Sequence, residues 1–209
     1  MRTGLGFALL IVLSFATSVA LAAPPLPAKA TVRTIAFGKS VTMTAKTPAD
    51  VIGTPHAIVL SKACGFTDWA EVARPTMRAG GTLVYTTGPT LNTLYKVLIN
   101  DRQVVTLTVR VQPLIKVVHA GKKYAVTVTT GNGAGLGGRT VSLEQKSLKG
   151  RWTKVGTVRL KLVSRPDQIE AVAAGTGSAR LTGRGPVRAS LPAKQAAPCF
   201  APVVSPPLP

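Results

Sequence analysis

VSLEQKSLKGRWTKV, residues 141–155, alternates apolar and polar side chains, pauses at Ser-Leu-Lys-Gly and resumes at a tryptophan. Alternation with period two predicts a half-buried β-strand, and the four-residue interruption is short enough to close a hairpin. The same arrangement occurs 83 residues earlier, where 64–67 matches 147–150 and Trp69 matches Trp152. These are the only two tryptophans of the chain. The hairpin is therefore one part of a repeated unit.

The repeat continues on both sides of the hairpin without a gap. The further matching pairs are Gly38 and Gly121, Lys39 and Lys122, Thr44 and Thr127, Leu60 and Leu143, and Val72 and Val155. A period this long exceeds those of solenoid repeats and is typical of two small domains in tandem. We predict one domain over residues 30–112 and a second over 113–200, followed by a Pro-rich tail, 201–209. The junction at 111–113 is too short to act as a free linker, so we expect the units to stack end to end.

Strand patterns occupy most of both units. Val41, Met43 and Ala45 alternate with threonines, and in the second copy Tyr124, Val126 and Val128 alternate with Ala125 and Thr127. Turn residues bound most of the further predicted strands, which are 57–63, 69–73, 81–86, 93–99 and 104–111. No helical pattern of useful length follows residue 22. We therefore predict an all-β fold of two tandem antiparallel sandwiches.

The alternation in the second copy slips by one residue. Val155 lies at an odd distance from Val158, Leu160 and Leu162, which themselves alternate strictly. One extra residue in a strand produces such a slip, and glycine tolerates the resulting backbone. Gly156 is therefore a predicted β-bulge.

These patterns resemble the tandem immunoglobulin-like or fibronectin-III-like modules of secreted bacterial proteins, especially those of high-GC Gram-positive bacteria. The residues that carry the resemblance are 38–42 (GKSVT), 80–85 (GGTLVY), 93–97 (TLYKV) and 141–155. The resemblance implies two immunoglobulin-like sandwiches and a tyrosine-corner contact for Tyr95. The second unit departs from the pattern, because Pro198-Cys199-Phe200 stands in place of a final strand. We expect a disulfide to substitute for part of that strand's pairing.

The N-terminus has the composition of an export signal. Arg2 precedes an uncharged, mostly apolar run from Leu5 to Leu21, which ends in small residues and prolines. We predict a cleaved signal peptide over residues 1–22; the alternative is an uncleaved membrane anchor. No later segment is long and apolar enough to span a membrane, so we expect a secreted, extracellular protein, and association with the cell wall stays open.

The chain is strongly basic, with a formal net charge of +19. Residues 23–112 carry 10 Lys and Arg against 4 acids, whereas residues 113–209 carry 15 against 3. Such a surplus attracts polyanions, and salt screens the attraction. We expect an anionic envelope polymer or polysaccharide as partner, while lipid headgroups, nucleic acid and a protein partner stay open.

The two cysteines, Cys64 and Cys199, lie in different units. Export favours oxidation, so we predict an intramolecular disulfide that ties the C-terminal region to the first unit. The alternatives are two unrelated thiols, or a thiol that pairs between molecules.

The strongest functional signal is a group of cations within one hairpin. Its members are Lys146, Lys149, Arg151, Lys154, Arg159 and Lys161, and no acid lies between them after Glu144. Arg159 and Lys161 are predicted to project from one strand face, joined by Lys154 if Gly156 is a bulge and by Arg151 if it is not. The group is either an anion-binding strip or a solvated edge that resists aggregation. Binding of single-stranded nucleic acid would also require stacking aromatics, and Trp152 alone suits core or hairpin packing better.

Other motifs point to no catalytic chemistry. The glycines of 133–138 match G-x-G-x-x-G, but the chain continues into a predicted strand and supplies no helix for a pyrophosphate. His56 and His119 do not match through the repeat, and the seven acids show no acid–base pair. We expect no cofactor, no metal and no enzyme activity. We predict a structural or adhesive protein of the cell envelope; the alternative is a soluble binding or inhibitor protein that uses loops such as 131–138, and an enzyme ranks third.

Overall fold

The computed structural model describes residues 29–30, 34–47, 55–131, 135–164 and 170–209. The predicted signal peptide lies outside these ranges. Within them the chain forms sixteen strands in four sheets and a single helix of four residues, so the predicted all-β class is confirmed. No helix in the same ranges has the length and apolar character needed to cross a bilayer.

The first eight strands form two facing sheets. One sheet has the order β1-β3-β6 and the other the order β2-β8-β7-β4-β5. All their pairings are antiparallel except that between β2 and β8, which is parallel. The strands are β1 (Lys29–Ala30), β2 (Thr34–Ala36), β3 (Val41–Lys46), β4 (Ala57–Ala63), β5 (Ala70–Ala73), β6 (Thr82–Thr87), β7 (Thr93–Ile99) and β8 (Arg102–Gln112).

Alternating side chains from both sheets form the core between them. Met43 from one sheet packs in the same cluster as Val59 and Val109 from the other, and all three are excluded from solvent. Tyr95 is also buried, which raises the pKa of its hydroxyl. That hydroxyl lies 3.3 Å from Thr87 Oγ1 on the opposite sheet. Its partner is thus a side chain across the core and not the backbone carbonyl of the predicted tyrosine corner.

The remaining strands form a second pair of facing sheets, with the orders β9-β10-β14-β13 and β12-β11-β15-β16. Val126 and Val128 of one sheet share a buried cluster with Val141, Leu143 and other residues of the second. The elements are β9 (Leu114–Ala120), β10 (Lys123–Gly131), β11 (Thr140–Lys146), β12 (Trp152–Arg159), β13 (Lys161–Leu162), β14 (Glu170–Gly177), β15 (Val187–Leu191), α1 (Ala193–Ala196) and β16 (Val203–Val204).

The predicted bulge joins the two sheets of this second pair. In the pairing of β11 with β12, Leu143 lies opposite Gly156 and Glu144 opposite Lys154, which leaves Val155 as the extra residue. The Arg180 N–H donates to the Val155 carbonyl at 2.9 Å. A Cβ on Gly156 would collide with the Ser178 carbonyl oxygen, so only glycine permits this contact. The bulge therefore lets an edge of one sheet approach the segment that follows β14.

Asn92 and the disulfide hold the two pairs of sheets together. Cys64 and Cys199 are bonded, as predicted, with their Cα atoms 5.1 Å apart. The Asn92 side chain accepts from the Val111 N–H and donates to the Pro198 carbonyl, both at 2.8 Å. Its backbone N–H donates to the Cys199 carbonyl. The junction is therefore a fixed contact, in agreement with the short linker.

The C-terminal segment belongs to the second pair of sheets. β16 pairs with β15 at two residues, and Leu208 exchanges backbone hydrogen bonds with Val187 at 2.7 and 2.8 Å. Ser205 is buried, and its hydroxyl accepts from the Ala189 N–H. The tail predicted over 201–209 is thus packed on the fold, and a short final strand is present. Frequent prolines limit that strand's pairing, which hides it from a periodicity search.

Candidate anion-binding site

The β11–β12 hairpin projects a closed turn with one leucine at its tip. Lys146 pairs with Trp152, and the turn between them is fixed by hydrogen bonds from Ser147 N–H to the Arg151 carbonyl and from Gly150 N–H to the Ser147 carbonyl. These bonds are 2.8 and 2.9 Å long. The Leu148 side chain is fully exposed, with a relative accessibility of 106%. The tip therefore combines satisfied backbone groups with an uncovered apolar side chain.

A buried amide fixes the neighbouring loop, residues 182–185, beside this hairpin. Gln145 is 2% exposed, and its Nε2 donates to the carbonyls of Gly183 and Gly185 at 2.7 and 3.1 Å. Its Oε1 accepts from the Thr182 N–H at 2.9 Å and lies 3.3 Å from the Thr182 hydroxyl. A buried amide must satisfy its donors and acceptor, so this loop has one favoured position.

The loop also packs directly on the end of β11. The Lys146 N–H donates to the Pro186 carbonyl at 3.0 Å. A Cβ added to Gly185 would overlap the Lys146 carbonyl oxygen. Glycine is therefore required there, because any side chain would push the loop away from the hairpin.

A groove of about 540 Å³ lies between the hairpin and the loop. Lys146 and Lys149 line it from the hairpin and Arg184 from the loop, and no carboxylate lines it. All three cations are exposed, whereas the amide that holds the walls is buried. Three cations that line one groove on a fixed frame can attract an anion, and Arg can bind it through two parallel N–H donors. We call this feature the hairpin groove.

The structure divides the six predicted cations. Lys146 and Lys149 line the hairpin groove, Arg151 and Lys154 follow on the hairpin, and Arg159 lies at the far end of β12. Lys161 does not continue this strand. The chain leaves the sheet that contains β12 at the buried Leu160. Lys161 then pairs with Ala174 of β14, in the facing sheet. The prediction that Arg159 and Lys161 share a strand face was therefore wrong.

Further cations that the sequence analysis did not single out lie at the same end of the fold. Ala120 pairs with Lys123, and the next residue, Tyr124, pairs with Gly177 at the end of β14. From there, residues 178–186 lead to Val187, which pairs with Gln145 at the end of β11. The three connections therefore meet at one end, which we call the basic end. Its exposed cations are Lys122, Lys123, Lys146, Lys149, Arg151, Arg180 and Arg184.

The basic end contains no Asp or Glu in any of its three connections, 120–123, 146–151 and 177–187. The nearest acid along β11, Glu144, accepts from Arg188 Nε at 2.8 Å. Only the pairing of strands reveals this convergence, since the three connections are distant in sequence. Of the cations added by strand pairing, Lys122 has a sequence signal, because it matches Lys39 through the repeat.

Both tryptophans of the repeat bind cations on their ring faces. The Arg188 guanidinium lies 4.1 Å from the Trp152 ring centroid, and Lys96 Nζ lies 4.3 Å from that of Trp69. Both rings are half-buried on the sheets. Trp152 therefore packs on the hairpin, as predicted, and a guanidinium occupies one of its faces.

The other candidate motifs form no site in the described residues. His56 lies 3.7 Å from Asp101 with both side chains exposed, and His119 packs against Tyr124. No group of three or more potential metal ligands occurs in the described ranges. Residues 135–139 lead into β11 without a helix, while 132–134, with Gly133 of the glycine motif, lie outside the described residues.

No protein-family model matches this chain, and no curated protein matches it in sequence.

Proposed function

We propose that this chain is a secreted, non-catalytic module of the cell envelope whose second pair of sheets binds an anionic partner. The observation that carries the proposal is the hairpin groove, which Lys146, Lys149 and Arg184 line without a carboxylate. The partner class is an anionic envelope polymer or surface. The cations attract such a partner over about one Debye length, roughly 8–10 Å at physiological salt.

The fold supports a binding module of immunoglobulin-like type. The parallel pairing of β2 with β8 and the antiparallel pairing of β1 with β3 place one N-terminal segment on both sheets. Such sandwiches commonly present binding surfaces at their ends. The Cys64–Cys199 disulfide supports an oxidising location, because such bonds persist outside the reducing cytosol.

Retention on purified cell wall, measured across a salt titration, tests this proposal. We expect wild-type protein to be retained at low salt and released by moderate salt. The triple variant Lys146→Glu, Lys149→Glu and Arg184→Glu should lose retention, because it reverses all three charges of the hairpin groove. A matched variant, Lys39→Glu, Lys46→Glu and Arg110→Glu, changes the net charge equally at exposed positions of the first pair of sheets.

The control variant should keep most of the retention. Equal loss in both triple variants would show that net charge alone causes adsorption, and this would contradict a defined site. Retention that neither salt nor charge reversal affects would contradict the proposal outright.

A further inference from the structure

The basic end also exposes apolar side chains, which an anionic polymer in solution would leave uncovered. Leu148 is fully exposed at the hairpin tip, and Leu181, next to the groove-lining Thr182, is 47% exposed. Cations flank both leucines in sequence: Lys149 follows Leu148, and Arg180 precedes Leu181. Apolar side chains surrounded by cations favour the interface of a bilayer, where acyl chains and anionic headgroups lie side by side.

We propose that the basic end docks on a bilayer containing anionic phospholipid, with Leu148 and Leu181 entering the headgroup region. This inference rests on the proposed function, since it names the anionic partner of the same site. Lys146, Lys149 and Arg184 contact the phosphate oxygens of one headgroup in the hairpin groove. The remaining cations of the basic end contact neighbouring headgroups.

Three of the five backbone N–H groups of the hairpin tip, residues 147–151, already have partners within the turn. A polar group that loses water without gaining a partner costs free energy, which prevents most loops from entering lipid. Here the N–H groups of Ser147, Gly150 and Arg151 all donate within the turn, the last to Ser147 Oγ at 3.2 Å. The tip can therefore bury Leu148 with these donors already satisfied.

Nucleic acid fits the same surface less well. Binding of single strands gains much of its free energy from bases that stack on aromatic rings. The one tryptophan near the basic end, Trp152, already has the Arg188 guanidinium on its ring at 4.1 Å. Leucine side chains offer no such stacking surface, whereas lipid would bury them.

Co-sedimentation with vesicles separates these partners. The probes are phosphatidylcholine vesicles with and without phosphatidylglycerol, and heparin serves as a soluble polyanion without an apolar phase. Of the two kinds of vesicle, we expect the protein to bind only those with phosphatidylglycerol, and salt should weaken this binding. The Leu148→Ser variant should bind these vesicles about tenfold more weakly, because it loses the burial of one leucine side chain. Its affinity for heparin should not change.

The matched control is Val163→Ser, which alters another exposed apolar side chain, 60% accessible and outside the three connections of the basic end. It should bind vesicles as the wild type does. In the Leu148→Trp variant, the tryptophan fluorescence emission should shift to shorter wavelength when phosphatidylglycerol vesicles are added. The Val163→Trp variant should show no such shift.

Three results would overturn the lipid proposal. The first is unchanged vesicle affinity in Leu148→Ser, and the second is an equal loss in Val163→Ser. The third is no binding to phosphatidylglycerol vesicles by a protein that is still retained on cell wall. That last result would identify an anionic polymer as the partner and leave the proposed function standing. Loss of wall retention in both triple variants would instead contradict the proposed function itself.

Discussion

Gln145 connects core packing to the hairpin groove. Its position in β11 alternates inward with Val141 and Leu143, and it is buried like them. Burying the Gln145 amide here carries a free-energy penalty, because the amide loses its hydrogen bonds to water. Four contacts to residues 182–185 offset this penalty. The loop has little apolar burial of its own, since Thr182, Gly183 and Arg184 are all exposed. The amide is therefore the main group that holds the loop and its arginine beside the hairpin.

We expect Gln145→Leu to destabilise the fold by about 2 kcal/mol, because the volume is kept while loop donors and acceptors lose their partners. Chemical denaturation measures the loss, and amide hydrogen exchange should become faster at Thr182. The control is Gln103→Leu, at an exposed glutamine of β8 with one side-chain contact to Thr106. Equal stability of the two variants would contradict this role of Gln145.

At the level of elements, the bulge in β12 determines which side chains share a face. With Val155 as the extra residue, Trp152 and Lys154 take the outward register of Lys146 and Glu144. The bulge also frees the Val155 carbonyl to accept from Arg180. The connection that supplies Arg180 and Arg184 is thus attached at the bulge, at Gln145 and at the Lys146 N–H, which donates to the Pro186 carbonyl. Edges of two sheets meet here, and only glycine allows that approach.

Gly156→Ala should destabilise the protein by about 1–3 kcal/mol, because the new methyl group would overlap the Ser178 carbonyl oxygen. Gly183→Ala is the matched control, since a Cβ there meets nothing within 4 Å. Denaturation midpoints should fall for the first variant and change little for the second. A Gly156→Ala protein as stable as the wild type would show that the two edges can separate freely.

Sequence periodicity predicted the elements well where alternation and burial coincide. β4 and β7 have the predicted bounds, and the slip after Val155 located the bulge. Alternation failed after Leu160, because the chain changes sheets there, and both Lys161 and Leu162 are exposed in their new pairing. Buried Gln145 left no signal, since a polar residue at an inward position interrupts an apolar pattern. The sequence predicted the hairpin cations of the basic end but not those of the other two connections. These connections meet the hairpin only through strand pairing.

At the scale of the whole molecule, the disulfide and the basic end lie at opposite ends of the second pair of sheets. Cys199 follows β15 and is fixed at the junction with Asn92, whereas the hairpin groove lies where β15 begins. Leu91 of the first unit is buried in the core of the second pair of sheets. The first pair of sheets therefore contacts the second at the end that faces away from the proposed binding surface.

Replacing both cysteines, Cys64→Ser with Cys199→Ser, should lower stability while leaving anion binding intact. The bond joins residues 135 apart, and constraint of such a loop in the unfolded chain contributes about 5 kcal/mol in the chain-entropy model. Thermal unfolding should occur at lower temperature, and wall retention below that temperature should match the wild type. A variant that stays folded but is not retained would contradict separate roles for the two ends.

The central claim is that the anionic partner binds the basic end. Amide hydrogen exchange of the full chain, with and without anionic polymer released from purified cell walls, and in parallel with phosphatidylglycerol vesicles, tests it most directly. We predict that added protection is concentrated in residues 146–151 and 182–185 and disappears in the Lys146→Glu, Lys149→Glu and Arg184→Glu variant. Protection confined to the first pair of sheets or to residues 135–139, with none at the hairpin groove, would contradict the account.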